Sequence, residues 1–480
     1  MDEKKIYQEL RQRFGFTEFR DGQLATIKAI MGGHNTLAVL PTGGGKSLLY
    51  QLPGYLMAET VLVVSPLISL MQDQVDRLHR RGEKGAIMLT GQVYGADRQR
   101  LLQNLANYKF IFASPELLTN QAVVKALQRV QISLLTIDEA HCISQWGPDF
   151  RPEYLMLKQL RQVLGDPVTL MLTATATPAV RRDIIQKVGL VGDQVVTVKR
   201  SVNRPNIFLA VDQCQNGEEK RARLLQMVTQ LGGAGIIYFS SRRLANEMAN
   251  WLNTQTKIGV ASYHAGMSSA DRFRIQQQFM NDQVKLICAT SAFGMGIDKE
   301  NIRFVIHYHL PDSLENYVQE IGRAGRDGKQ SAAVILYAPG DEQLPRQLLT
   351  VDLPPADLMQ AVQRGKVDEK ALGPDYQLFS FYLKHHFTPA QVELAFTRRK
   401  KRRLAQLQVM TNYVQSAECR RNFILRYFDE SATTQERCCD HELADWLETG
   451  ILAKRVPPSL KSPSFDWHCR LASLLNLVKN

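Results

Sequence analysis

Short apolar runs separated by helix-length spacers recur through the first two thirds of this 480-residue chain, and few folds accommodate that pattern. One series lies at 36–40, 61–65, 110–114, 134–137 and 169–172, and a second at 235–240, 260–263, 285–289, 303–307 and 333–337. A strand followed by a helix-long crossover returns in the same direction, so such strands pair in parallel. Two series predict two α/β lobes. The periodicity breaks at KRSVNRPN (199–206), which carries Pro205 and sets the expected lobe spans at 1–200 and 201–340.

The first strand runs into PTGGGKS, where Thr42, Gly43, Gly44, Gly45, Lys46 and Ser47 precede an apolar segment able to start a helix. Backbone amides and a helix amino end hold phosphates, Lys46 adds a point charge, and the Ser47 hydroxyl is a magnesium ligand. The strict phosphate-loop pattern wants a further glycine five places before Gly45 of the Gly45-Lys46-Ser47 core, where this chain has Leu40. Residues 134–154, LLTIDEAHCISQWGPDFRPEY, supply the acids. A buried strand ending in Asp138 and Glu139 delivers two carboxylates to the carboxyl edge of a parallel sheet, where ligands bind. Trp146, Phe150 and Arg151 then offer flat rings and a cation among glycine and proline, a mix suited to a nucleic-acid strand or to core packing.

In order and wording these motifs resemble the RecQ family of superfamily 2 DNA helicases over about residues 10–440. FGFTEFRDGQ (14–23) is similar to the family's adenine-reading segment, with Gln23 as reader, and VVSPLISLMQDQV (63–75) and TATAT (173–177) to its motifs Ia and III. ATSAFGMGIDKENIRFVIHY (289–308) and QEIGRAGRDG (319–328) resemble motifs V and VI. The resemblance implies two RecA-like lobes with ATP between them. It gives Asp138 the magnesium ion, Glu139 the attacking water, and Arg323 and Arg326 the charge on the transferring phosphoryl group, the two lying on one face if helical. It gives Asp298 the ribose or a coupling role, His141 the coupling of ATP state to DNA state, and Trp146, Phe150 and Arg151 contact with single-stranded DNA. Pro148 stands where the family commonly carries histidine, and His309 where aspartate is usual.

Composition narrows the partner. Lys plus Arg number 59 against 47 Asp plus Glu, a net charge of +12, which favours a polyanion. No apolar run nears the roughly 20 residues that span a bilayer, and MDEKKIYQEL lacks a signal-peptide profile. No membrane partner and a cytoplasmic location are expected. Seven cysteines, odd in number and mostly isolated, read as reduced thiols.

Beyond residue 340 the chain turns helical and basic. Thr388 and Pro389 open a helix by cap and first-turn logic, and it runs into a block from Arg398 to Arg403. That block is a solvated helix face or a phosphate contact. Residues 341–442 resemble the family's helical zinc-binding subdomain in degenerate form. Cys419 stands at the first ligand position, but Cys438, Cys439, Asp440, His441 and Glu442 replace the rest of the usual signature. Loss of zinc is expected, with a rebuilt site of Cys419, Cys438 or Cys439, and His441 as the alternative. Residues 443–480 are a short tail, too short for the winged helix and further helical domain of longer relatives. The activity implied is ATP-dependent 3′–5′ unwinding of forked DNA from a single-stranded arm, in repair or recombination. A DNA-stimulated translocase and a DNA-binding scaffold with little unwinding are the alternatives.

Overall fold

The computed structural model describes residues 3–90, 95–145, 152–294, 299–348, 353–373 and 376–455. Strands β1 (Asn35–Val39), β2 (Thr60–Val64), β3 (Ala86–Leu89), β4 (Phe110–Ala113), β5 (Ile132–Ile137), β6 (Val168–Thr173) and β7 (Val195–Lys199) form one sheet, in the order β3-β4-β2-β5-β6-β1-β7. Every pairing in it is parallel. Alternate residues of one strand face opposite sides, and both sides are buried. Leu62 and Val64 of β2 pack in one core, Val61 and Val63 in the other. That two-sided burial makes these strands read as continuous apolar runs.

A second parallel sheet holds β8 (Ile207–Gln213), β9 (Ala234–Tyr238), β10 (Val260–Tyr263), β11 (Leu286–Ala289), β12 (Ile302–His307) and β13 (Ser331–Tyr337), ordered β10-β11-β9-β12-β13-β8. The expectation of two parallel-sheet lobes holds. Strands β3, β7 and β8 escaped the sequence reading. In β7 only Val195 and Val198 are buried, so an edge strand gives a broken apolar signal.

The helical segment that follows is layered onto the second lobe. Thr388 caps the helix Pro389–Gln415 through a reciprocal capping box with Gln391, and proline occupies the first turn. Its carboxyl half buries Leu407, Met410, Tyr413 and Val414 in the same core as Ile207, Leu209 and Val211 of β8. Its amino half buries Val392 and Phe396 in a small cluster with Phe379 and Tyr382, on which Leu155 of the first lobe also packs. The opposite face of the second sheet is closed by Trp446, whose ring lies 5.7 Å from that of Phe208, and by Leu447 and Leu452. Among the described residues no helix is long and apolar enough to cross a membrane.

Candidate nucleotide site and zinc centre

Strand β1 ends at the phosphate loop, which opens on the carboxyl edge of the sheet. Gly45 adopts φ 70°, and a Cβ there would lie 2.5 Å from Gln23 Nε2, so a side chain would break both the turn and the contact. Gln23 is buried and donates Nε2–H to the carbonyls of Gly44 (2.9 Å) and Gly45 (3.3 Å), while its own oxygen accepts from Arg20 N (2.9 Å). Arg20 donates to the Gly43 carbonyl. The segment read as an adenine reader thus also braces the phosphate loop. Sequence reading missed Arg20, although its motif had been singled out.

Strand β5 brings the acids to the same edge. Asp138 accepts the Glu139 amide at 3.0 Å, and Glu139 takes the left-handed conformation (φ 48°), which turns its carboxylate towards Lys46 Nζ, 4.0 Å away. His141 Nδ1 sits 3.2 Å from the other Glu139 oxygen and 3.1 Å from Thr173 Oγ1, the first residue of TATAT. Burial raises the Asp138 carboxyl above the usual range, and the neighbouring Glu139 charge adds to the rise. Burial also pushes Glu139 upwards, but Lys46, the hydrogen bond and charge of His141, and Arg323 together outweigh it and hold Glu139 low. One acid is therefore fixed as an anion.

The second lobe closes the cavity, whose volume is about 480 Å³. Its wall includes Gln23, Thr42, Gly43, Gly45, Lys46, Ser47, Asp138 and Glu139 from the first lobe, and Gln319, Arg323 and Arg326 from the second. The arginines do not share a helical face. The helix Leu314–Ile321 stops at Gly322, and residues 322–327 are turns, yet both side chains still reach one cleft. Arg323 is buried and donates to the Gly294 carbonyl, and a Cβ on Gly294 would stand 2.2 Å from the guanidinium carbon. Arg204 holds the turn by donating to the carbonyls of Gly322 (3.0 Å), Ala324 (2.9 Å) and Gly325 (2.7 Å). No local pattern marks that role, because its partners lie 118 to 121 residues away. Trp146, Phe150, Arg151 and Asp298 lie outside the described residues.

The basic block divides. Arg402 donates to Ser144 Oγ (2.9 Å) and Arg403 pairs with Asp312 (3.5 Å), whereas Arg398, Lys400 and Lys401 are exposed. Only part of the block is available to phosphates.

The expectation of lost zinc is corrected by the cysteine cluster. One ligand atom from each of Cys419, Cys438, Cys439 and Glu442 lies within 4.8 Å of all the others. Cys419 Sγ is 3.5 Å from Cys438 Sγ and 3.8 Å from Cys439 Sγ. Sulfurs bound tetrahedrally at 2.3 Å from zinc stand about 3.7 Å apart, so the set fits one zinc ion with Glu442 as fourth ligand. His441 is exposed and outside the set. Adjacent cysteines can both turn inwards because Arg437 is left-handed (φ 54°) and the next residues run along β8, Leu209 N donating to Cys438 O and Asp440 N to Leu209 O. Purified protein is expected to carry one zinc per chain by elemental analysis. Cys419→Ser should remove it and His441→Ala should not, and a chelator should lower the melting temperature because the ion would tie the start of the helix Arg420–Tyr427 to the segment 438–442 that pairs with β8. Zinc-free protein with an unchanged melt would contradict the assignment.

The chain is similar to known proteins along most of its length. Residues 20–184 match the DEAD/DEAH box helicase family, residues 219–328 the helicase conserved C-terminal domain, and residues 376–442 the RecQ zinc-binding family. The Bacillus subtilis (strain 168) protein named "Probable ATP-dependent DNA helicase RecS" is 42% identical over 98% of each chain. The ATP-dependent DNA helicase RecQ of Haemophilus influenzae is 36% identical over 90% of this chain but 62% of its own length, so the chain spans about three fifths of that relative. In fold, it is similar to helicase MrfA bound to DNA, with TM-score 0.60 at 18% identity over 72% of this chain and 53% of the other. With near-complete alignment to one relative, and the zinc cluster falling inside the matched segment, the chain belongs to the RecQ family of DNA helicases.

Proposed function

We propose that the cleft hydrolyses ATP and that the two lobes, spanning 1–200 and 201–340, convert each turnover into movement along single-stranded DNA. The protein is an ATP-driven DNA helicase. The observation that carries the reading is the meeting of Lys46, Asp138 and Glu139 from one lobe with Arg323 and Arg326 from the other around a single cavity. Lys46 and the loop amides hold the β- and γ-phosphates. Glu139, kept ionised, orients the attacking water through a hydrogen bond. Arg323 and Arg326 neutralise charge on the phosphoryl group only when the lobes close. Ser47 and Asp138, both oxygen donors on the cavity wall, suit magnesium, which supplies charge neutralisation between the phosphates. Asp298 serves the ribose or the joint between lobes.

Trp146, Phe150 and Arg151 contact the single strand, with stacking worth about 1–3 kcal/mol per base and indifferent to sequence. The net charge of +12 and the exposed Arg398, Lys400 and Lys401 favour a polyanionic track. Forked DNA with a single-stranded arm is the proposed substrate, and repair or recombination the proposed setting. A cytoplasmic location suits the thiols of Cys142, Cys214 and Cys288, which form no disulfide among the described residues. ATPase assays with single-stranded DNA, single-stranded RNA and no polymer test the reading. DNA should stimulate hydrolysis most, with apparent affinity falling as salt rises. Hydrolysis indifferent to DNA, or a flat salt response, would contradict it.

A further inference from the structure

The short helix His141–Gln145 joins two places that a motor has to keep in step. Its first residue holds Glu139, and its last leads into 146–151. The far end of this helix is fixed by a half-shielded polar knot around a buried serine. Ser144, 4% exposed, donates to Asp183 Oδ2 at 2.6 Å, and Lys187 Nζ reaches both Asp183 Oδ2 (2.9 Å) and the Ile143 carbonyl (3.2 Å). Asp183 and Lys187 lie on the helix Pro178–Lys187, which starts directly after TATAT. At the near end His141 meets Thr173, the first residue of TATAT. One end of the helix is thus tied to TATAT and the other to the helix that follows it.

Into this knot comes a side chain from outside the lobe. Arg402 Nη2 donates to Ser144 Oγ at 2.9 Å, and its Nη1 lies 3.7 Å from Asp183 Oδ2. The next residue, Arg403, pairs with Asp312 of the second lobe at 3.5 Å. Consecutive arginines on one helix therefore grip opposite lobes. Since Leu407, Met410, Tyr413 and Val414 sit in the core of the second lobe, the carboxyl half of the helix Pro389–Gln415 is anchored to that lobe. Arg402 is thus a direct side-chain link between a helix rooted in the second lobe and Ser144.

We infer that Arg402 is a positioning residue that couples DNA engagement to hydrolysis, by registering the position of the second lobe on the helix between Glu139 and residues 146–151. It is not among the residues that line the nucleotide cavity. The knot is half-shielded and held by charged hydrogen bonds, so its loss is felt as lost coupling between sites and not as lost chemistry. The inference rests on the proposed DNA contact at Trp146, Phe150 and Arg151, and the test separates the two.

ATPase rates with and without saturating single-stranded DNA would be measured for Arg402→Ala, Arg402→Lys, Asp183→Asn, the double variant Arg402→Ala/Asp183→Asn, and Trp146→Ala, together with melting temperatures. Arg402→Ala should lower the DNA-stimulated rate on the order of 10-fold, a usual size for coupling between sites, while leaving the DNA-free rate unchanged. Arg402→Lys should recover part of the loss. The double variant should fall no further than Arg402→Ala, since both residues belong to one knot. Full stimulation in Arg402→Ala, or parallel loss of both rates tracking a lower melting temperature, would overturn the inference. Trp146→Ala reports on the DNA contact alone. Loss of stimulation there with none in Arg402→Ala sinks only the coupling role, whereas intact stimulation in Trp146→Ala with loss in Arg402→Ala places the DNA contact elsewhere and overturns the route through residues 146–151.

Discussion

Glu139→Gln is expected to stop ATP turnover while leaving nucleotide and DNA binding close to the parent protein. The carboxylate is positioned three ways: by a left-handed backbone at its own residue, by Lys46 Nζ at 4.0 Å and by His141 Nδ1 at 3.2 Å. Glutamine keeps the shape but loses the charge that orients water and accepts its proton. Positioned acid–base groups contribute about 10²–10⁴-fold, and a fall in kcat of that order is the expected result. Because Glu139 is an anion that Lys46 and His141 stabilise, the variant also removes a favourable charge partner, and a melting curve beside the kinetics separates lost stability from lost chemistry. Turnover near the parent rate would remove Glu139 from the chemistry.

Arg326→Ala should carry the second large effect. Arg326 lines the cleft from the second lobe and lies against Gly43 of the phosphate loop, its Cδ 3.5 Å from where a Cβ on that glycine would stand. An arginine delivered across a cleft neutralises charge that exists only in the transition state, and fingers of this kind are worth about 10³–10⁵ in rate. A loss on the order of 10³-fold in kcat, with KM for ATP little changed, is expected. Arg323 makes a less clean test. It is buried and bonded to the Gly294 carbonyl, so its removal should also loosen the second lobe. An Arg326→Ala rate equal to that of the parent would return this residue to the protein surface.

What could be read in the sequence follows from what each feature depends on. The two-lobed fold was legible because strands buried on both faces read as apolar runs, as residues 61–64 and Phe110–Ala113 do. The edge strand β7, with only two buried residues, left no such trace. Phosphate-loop and acid residues announce themselves because their chemistry needs fixed residue types within a few positions. Arg20, Arg204 and Arg402 do not, since each gains its role from a partner made near only by tertiary structure: Gly43, the 322–325 turn and Ser144. Zinc was misjudged for a related reason. Ligand spacing in sequence assumes that adjacent cysteines diverge, and here a left-handed Arg437 together with pairing to β8 makes Cys438 and Cys439 converge. The run from Arg398 to Arg403 likewise looked uniform, but its members face different surroundings, with Arg402 and Arg403 already engaged by the two lobes.

The central claim is that hydrolysis in this cleft drives strand separation. It is tested most directly by following release of a labelled strand from a forked duplex bearing either a 3′ or a 5′ single-stranded arm, with ATP, with a non-hydrolysable analogue, and with Glu139→Gln protein. The account predicts ATP-dependent release from the fork with the 3′ arm, little from the fork with the 5′ arm, and none with the analogue or the variant. Release that proceeds equally without hydrolysis, or vigorous DNA-stimulated hydrolysis that separates no strands, would contradict it.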